Sequence, residues 1–275
     1  NQIIAGDAPL RRVWDLYANR VVPYWVACKY PWAISHAWMD EEKLKDGEDA
    51  VTPINGKKWP VPMPKDANLD LIRIEMLNER AEYMWLDVLC LRQKGQDEDE
   101  DLRNEEWKVD LPTIGWVYHK AEKVVCYFSG LGLPLSFEPG DFESRRCWFN
   151  RAWTLQEMTT DPIIGGRTHD GDIMEEGLPA KFHEQLASLR RDDSVFDILS
   201  QMQPRWSTKP VDKVAGLVYL MYSEYVPIYD KDQSEEDAWT ALINVTQDWF
   251  RADLFLYPEP GNGNNYWRPS WDQVM

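Results

Sequence analysis

Trp32-Ala-Ile-Ser-His-Ala-Trp38 is a compact apolar run that closes on polar residues, and its reading decides the fold. It predicts a buried strand whose C-terminal end delivers Ser35, His36 and Trp38 to a loop. Working outward, Glu82-Tyr-Met-Trp-Leu-Asp-Val-Leu-Cys-Leu91 predicts a second near-continuous apolar strand, with Asp87 as its polar interruption. Lys123-Val-Val-Cys-Tyr-Phe128 predicts a third and Pro162-Ile-Ile-Gly165 a short fourth. Between them, Leu71, Ile72, Ile74, Met76 and Leu77 among charges predict an amphipathic helix over 69–81, and a second helix is expected over 105–121. Strands apolar on both faces and alternating with helices argue for an α/β fold with a helix-covered parallel sheet. The ligand site of such a sheet lies at the C-terminal ends of its strands.

The flanking segments read differently. Residues 10–17 are expected to form a short helix, 43–67 a long insertion rich in Pro, Gly, Asp and Lys, and 131–140 a loop. From Leu178 onward, helical patterns over 182–189, 195–202, 212–225 and 234–250 predict a mainly helical C-terminal extension. The expected organisation is an α/β core over 1–175 with a helical extension over 176–275 packed on it. Gly261-Asn-Gly-Asn-Asn265 has no preceding strand or following helix and reads as a surface turn.

Composition excludes several function classes. A formal charge of −17 repels phosphate backbones and anionic membranes, so nucleic acid is not an expected partner. The acidic run Asp97-Glu-Asp-Glu-Asp101 reads as a solvated loop tip rather than a calcium site. Cys28, Cys90, Cys126 and Cys147 are widely spaced with no Cys-x-x-Cys pair, so neither a zinc cluster nor a disulfide framework is signalled. A reducing, cytoplasmic setting, no metal and no membrane span are expected.

Trp153-Thr-Leu-Gln-Glu157 predicts a short α-helix, with Asn150 as N-cap and Asp161-Pro162 as the stop. Helical spacing would put the Trp153 ring and the Glu157 carboxylate one turn apart on one face. A Trp and a Glu at that spacing usually mean a core anchor and a surface carboxylate. Asp87 has the alternative of capping a helix or pairing with Arg92 or Arg151, His36 that of a hydrogen-bonded structural residue, and Cys90 that of core packing. Ser35 lacks the His/Asp arrangement a serine nucleophile needs.

The blocks Trp32–Trp38, Met84-Trp-Leu-Asp-Val-Leu-Cys-Leu-Arg-Gln93 and Cys147-Trp-Phe-Asn-Arg-Ala-Trp-Thr-Leu-Gln-Glu157 resemble those of the fungal heterokaryon-incompatibility (HET) domain. Arg205-Trp-Ser-Thr-Lys-Pro-Val-Asp-Lys-Val214 and Trp267-Arg-Pro-Ser-Trp271 resemble its downstream signatures. His36, Met39 and Leu91-Arg92 depart from the family's usual Tyr, Gly and Ile-Asn. The HET domain is in turn similar to the Toll/interleukin-receptor (TIR) domain, a flavodoxin-like sheet whose NAD⁺-cleaving members carry a Trp-x-x-x-Glu pair.

The resemblance implies a cell-death effector of non-self recognition. Its expected reaction is cleavage of NAD⁺ at the nicotinamide–ribose bond, with NAD⁺ as substrate and no cofactor. It implies Glu157 as catalytic carboxylate, with Trp153, Ser35, His36, Trp38 and Asp87 around the substrate, and a homo-oligomer when active. The alternative is a non-enzymatic TIR-like signalling and oligomerisation module.

Overall fold

The computed structural model describes residues 3–39, 41–95, 100–158, 161–166, 179–189, 194–223, 225–262 and 265–275. Its centre is a six-stranded mixed sheet in the order β3-β2-β5-β4-β6-β7, built from Arg12–Asp15 (β2), Arg20–Pro23 (β3), Trp32–His36 (β4), Tyr83–Leu86 (β5), Val124–Tyr127 (β6) and Ile163–Ile164 (β7). The four strands β5-β4-β6-β7 are mutually parallel, and β2 joins β5 antiparallel. Every residue of β4 and β6 is buried, which is why these stretches read as unbroken apolar runs. Counted along the chain, the parallel strands lie in the order 2-1-3-4, the flavodoxin-like arrangement. It has its topological switch point between β4 and β6.

The helix Leu69–Asn78 (α2, following the four-residue turn Tyr24–Ala27, α1) links β4 to β5. Asn68 caps it by accepting from the Asp70 amide at 2.8 Å, and Leu69, Ile72 and Met76 are its buried face. It ends where Arg80 takes a left-handed conformation, φ 69°.

Several sequence expectations are corrected. The strand expected over 82–91 stops at Leu86. Asp87 turns the chain into a single helical turn, Asp87–Cys90 (α3), its carboxylate accepting the Val88 amide at 2.7 Å. Cys90 is nonetheless core. The helix expected over 105–121 is two, Glu100–Asp110 (α4) and Ile114–Lys120 (α5), because Pro112 interrupts the amide ladder. The acidic run falls largely outside the described residues.

Within residues 10–17 the chain forms the strand β2 and no helix. The apolar spacing there fits helical periodicity, but strands on both sides claim the backbone, and Asp15 closes the β2–β3 turn by accepting the Ala18 amide. The insertion is held by its own core residues Trp59, Val61 and Met63. The Trp59 indole donates to the Val88 carbonyl at 3.1 Å, while Arg12 and Arg92 lie over its ring.

The C-terminal part contains Ala180–Ser188 (α6), Val195–Met202 (α7), Val211–Ala215 (α8), Glu235–Val245 (α9), Asp248–Ala252 (α10) and Trp271–Val274 (α11). The long helices expected over 212–225 and 234–250 are thus each shorter. A strand unforeseen from the sequence, Tyr225–Pro227 (β8), pairs antiparallel with Ile3–Ala5 (β1). Phe182, Met202, Trp239 and Phe250 belong to the same continuous hydrophobic cluster as β4 and β6. The turn at 261–265 includes residues outside those described. Among the described residues no helix is long and apolar enough to cross a membrane, and no group of three or more His, Cys, Asp or Glu side chains is arranged to hold a metal.

Candidate active site at the C-terminal edge of the sheet

The segment bearing Trp153 and Glu157 is a 3-10 turn, Trp153–Glu157, and not the expected α-helix. Asn150 is no N-cap. Its side chain donates to the Phe142 and Ser144 carbonyls, and its own carbonyl accepts the Trp206 amide at 2.6 Å. Trp206 returns the bond by accepting the Ala152 amide at 3.0 Å. The buried Arg205 guanidinium donates to the Arg151 carbonyl at 2.7 Å and to Thr154 Oγ1 at 3.0 Å. Backbone groups that would start an α-helix are therefore occupied by the 205–206 segment. With three residues per turn, positions 153 and 157 no longer stack on one face. Both side chains still reach the same cavity, Trp153 half-buried on its wall and Glu157 buried in its floor.

That cavity, about 300 Å³, lies beyond the C-terminal ends of β4 and β5. His36, Trp38, Asp87, Trp153 and Glu157 all line it. Ser35 lies beneath and is completely buried. Its hydroxyl donates to Glu157 Oε2 at 2.5 Å and accepts from the Trp148 indole at 2.7 Å. Its hydroxyl thus links the Glu157 carboxyl to the Trp148 indole, and Ser35 itself is absent from the cavity lining. Trp148 was not foreseen as part of this chain of contacts.

Burial pushes the Glu157 carboxyl up from its ordinary value of 4.5 to about 7. The Ser35 hydrogen bond opposes the rise, Asp87 adds to it, and His36 opposes it. His36 Nε2 lies 2.9 Å from Asp87 Oδ1 and its Nδ1 lies 3.3 Å from the Ala37 carbonyl. Two acceptors facing both ring nitrogens match an imidazolium with two N–H donors. Burial draws the His36 pKa down, but Asp87 and then Glu157 outweigh it, and the net direction is upward. Trp38 stacks on the ring at 5.7 Å.

Sequence reasoning missed Trp107, Arg151 as a wall residue, Lys209, Asp212 and Tyr229, all of which line the same cavity. Asp212 accepts from the Tyr229 hydroxyl at 2.8 Å and the Lys209 amide at 3.1 Å. Burial raises its pKa, against the Tyr229 hydrogen bond. The signal for Asp212 was its place in the 205–214 motif. Nothing local marked Tyr229 or Trp107. Cys90 and Cys126, close behind the site, are thiols whose pKa burial raises, the former to about 12, which makes them inert packing.

Residues 32–132, a little over a third of the chain, match the family model described as "Heterokaryon incompatibility protein (HET)". The match covers the first two sequence blocks that carry the HET resemblance and ends before the third, which bears Trp153 and Glu157. This segment is similar to the heterokaryon-incompatibility family. No curated protein and no solved structure matches the chain.

Proposed function

We propose that the chain acts as a cell-death effector in fungal heterokaryon incompatibility, and that it does so by hydrolysing NAD⁺ at the nicotinamide–ribose bond. The observation that carries this reading is the buried Glu157 carboxylate, fixed by Ser35 in the floor of a cavity walled by Trp38, Trp107 and Trp153. In the reaction the C1′–N bond breaks heterolytically. Its electron pair goes to the ring nitrogen, so the cationic nicotinamide leaves neutral and needs no proton donor.

The positive charge that develops on the ribose is the kind a carboxylate held in a dry site stabilises. Water then bonds to C1′ and gives up a proton. A carboxyl displaced to about 7 is suited to receive it near neutral pH. The flat faces of Trp38 and Trp153 suit a planar base. The ion pair of His36 and Asp87 holds the end of β4 beside them, and its Asp87 raises the Glu157 pKa more than its His36 lowers it.

Activity is further proposed to need self-association in a cytoplasmic setting. In support, the sheet ends in the short edge strand β3, with Trp25 and Tyr17 exposed beside it. Product analysis on a panel of nucleotides and nucleosides, repeated over a dilution series, tests both parts. Release of nicotinamide from NAD⁺ with specific activity rising with protein concentration is expected. Cleavage confined to other substrates, or none, would overturn the reaction assigned. Constant specific activity from a monomer throughout would overturn the need for association.

A further inference from the structure

A second cavity, about 550 Å³, opens at the C-terminal ends of β4 and β6, the switch point of the sheet. The half-buried Trp38 lines both cavities. The one containing Glu157 sits at the lower end of the range for small-molecule pockets, roughly 300 to 1,000 Å³, and is too small for a whole dinucleotide. A bound dinucleotide must extend beyond it.

The second cavity has what such an extension needs. Phe128 and Phe137 offer aromatic surface, and Phe137 is held in place by stacking on Phe142 at 4.7 Å. Lys43 and Arg146 bring two cations to its wall. Among the described residues no ion pair engages Lys43. Two carboxylates, Asp66 and Asp141, line the same cavity, and that of Asp141 accepts the Glu138 amide at 2.6 Å. Strand ends flanking a switch point are also where doubly wound sheets bind nucleotides in general.

We propose that this cavity is a second binding site, taking the nucleoside 5′-phosphate half of the substrate, while the Glu157 cavity takes the end where the bond breaks. The inference rests on the function proposed above, and Trp38 is then the partition around which the substrate bends. Lys43 supplies charge to a phosphate and Phe137 a face to the base. Neither touches the breaking bond, so both are binding residues.

The test is calorimetric titration of the purified chain with AMP, beside NAD⁺ turnover, for wild type, Lys43→Glu, Phe137→Leu and Glu157→Gln. Lys43 is exposed, so charge reversal there leaves the fold intact, and Phe137→Leu keeps apolar volume while removing the aromatic face. Expected are AMP binding weakened about tenfold by Lys43→Glu, a smaller loss in Phe137→Leu and none in Glu157→Gln, with KM for NAD⁺ raised about tenfold by Lys43→Glu while kcat holds.

AMP binding through Lys43 without nicotinamide release would keep this site and remove the function. Nicotinamide release with KM and AMP affinity unmoved in both Lys43→Glu and Phe137→Leu would remove this site and keep the function. Absence of AMP binding by the wild type would also overturn the site.

Discussion

Replacing Glu157 by Gln is predicted to stabilise the fold above neutral pH. An acid whose pKa is raised by burial binds its proton more tightly in the folded chain than in the unfolded one. Stability contributed by the neutral carboxyl is therefore complete only well below pH 4.5 and is lost as pH rises through the folded pKa. A displacement from 4.5 to about 7 corresponds to about 3 kcal/mol lost once the group is ionised in both states. Gln is close to isosteric with the neutral acid, can accept the Ser35 hydroxyl proton, and never ionises. The variant should exceed the wild type by only about 1 kcal/mol near pH 5 and by about 3 kcal/mol near pH 8.5. Urea denaturation at the two pH values, comparing midpoints at equal slope, reads this directly. A variant less stable than the wild type at the higher pH, or a difference that does not change with pH, would refute the reasoning. The buried charge would then be compensated by more than Ser35, His36 and Tyr118.

The same carboxyl sets a pH profile: nicotinamide release should climb with pH through about 7 as Glu157 ionises, and a flat rate between about pH 5 and pH 8 would contradict that role. Arg205→Met keeps the apolar stem but removes the bonds to the Arg151 carbonyl and Thr154 Oγ1. A loss of about 2 kcal/mol in chemical denaturation and of most activity is expected, and wild-type stability would show that the 3-10 turn holds without it. Gly115→Ala, ordinarily worth about 1 kcal/mol in favour of a helix, should instead lower Tm by several degrees. The added Cβ would lie 2.2 Å from Tyr219 Cβ and 2.7 Å from Gln156 Oε1. A Tm unchanged or raised would mean that α5 can back away from the Glu157 turn.

The parallel strands were legible because burial on both faces leaves an unbroken apolar record, as at β4 and β6. β2 was not, since its apolar residues also fit a helical period and only its neighbours β3 and β5 decide the matter. β8 was equally hidden, being three residues long and partnered by the distant β1. Around the site, Trp153 and Glu157 stood out by spacing, yet the 3-10 conformation comes from Arg205 and Trp206, some fifty residues downstream. Ser35 and Glu157 are 122 residues apart, so their hydrogen bond leaves no local trace. Trp107 comes in on α4, and Tyr229 is held by its amide hydrogen bond to the Lys108 carbonyl of α4 and its hydroxyl bond to Asp212 of α8, which no periodicity announces.

The central claim is that Glu157 is the carboxylate on which NAD⁺ cleavage depends. Its most direct test is incubation of concentrated purified chain with NAD⁺, following free nicotinamide by chromatography, beside Glu157→Gln at equal concentration. Release by the wild type and its loss in the folded variant is the predicted result. Equal release by both would remove Glu157 from the chemistry, and none from the folded wild type, even when self-association is forced, would leave the cavity without this reaction.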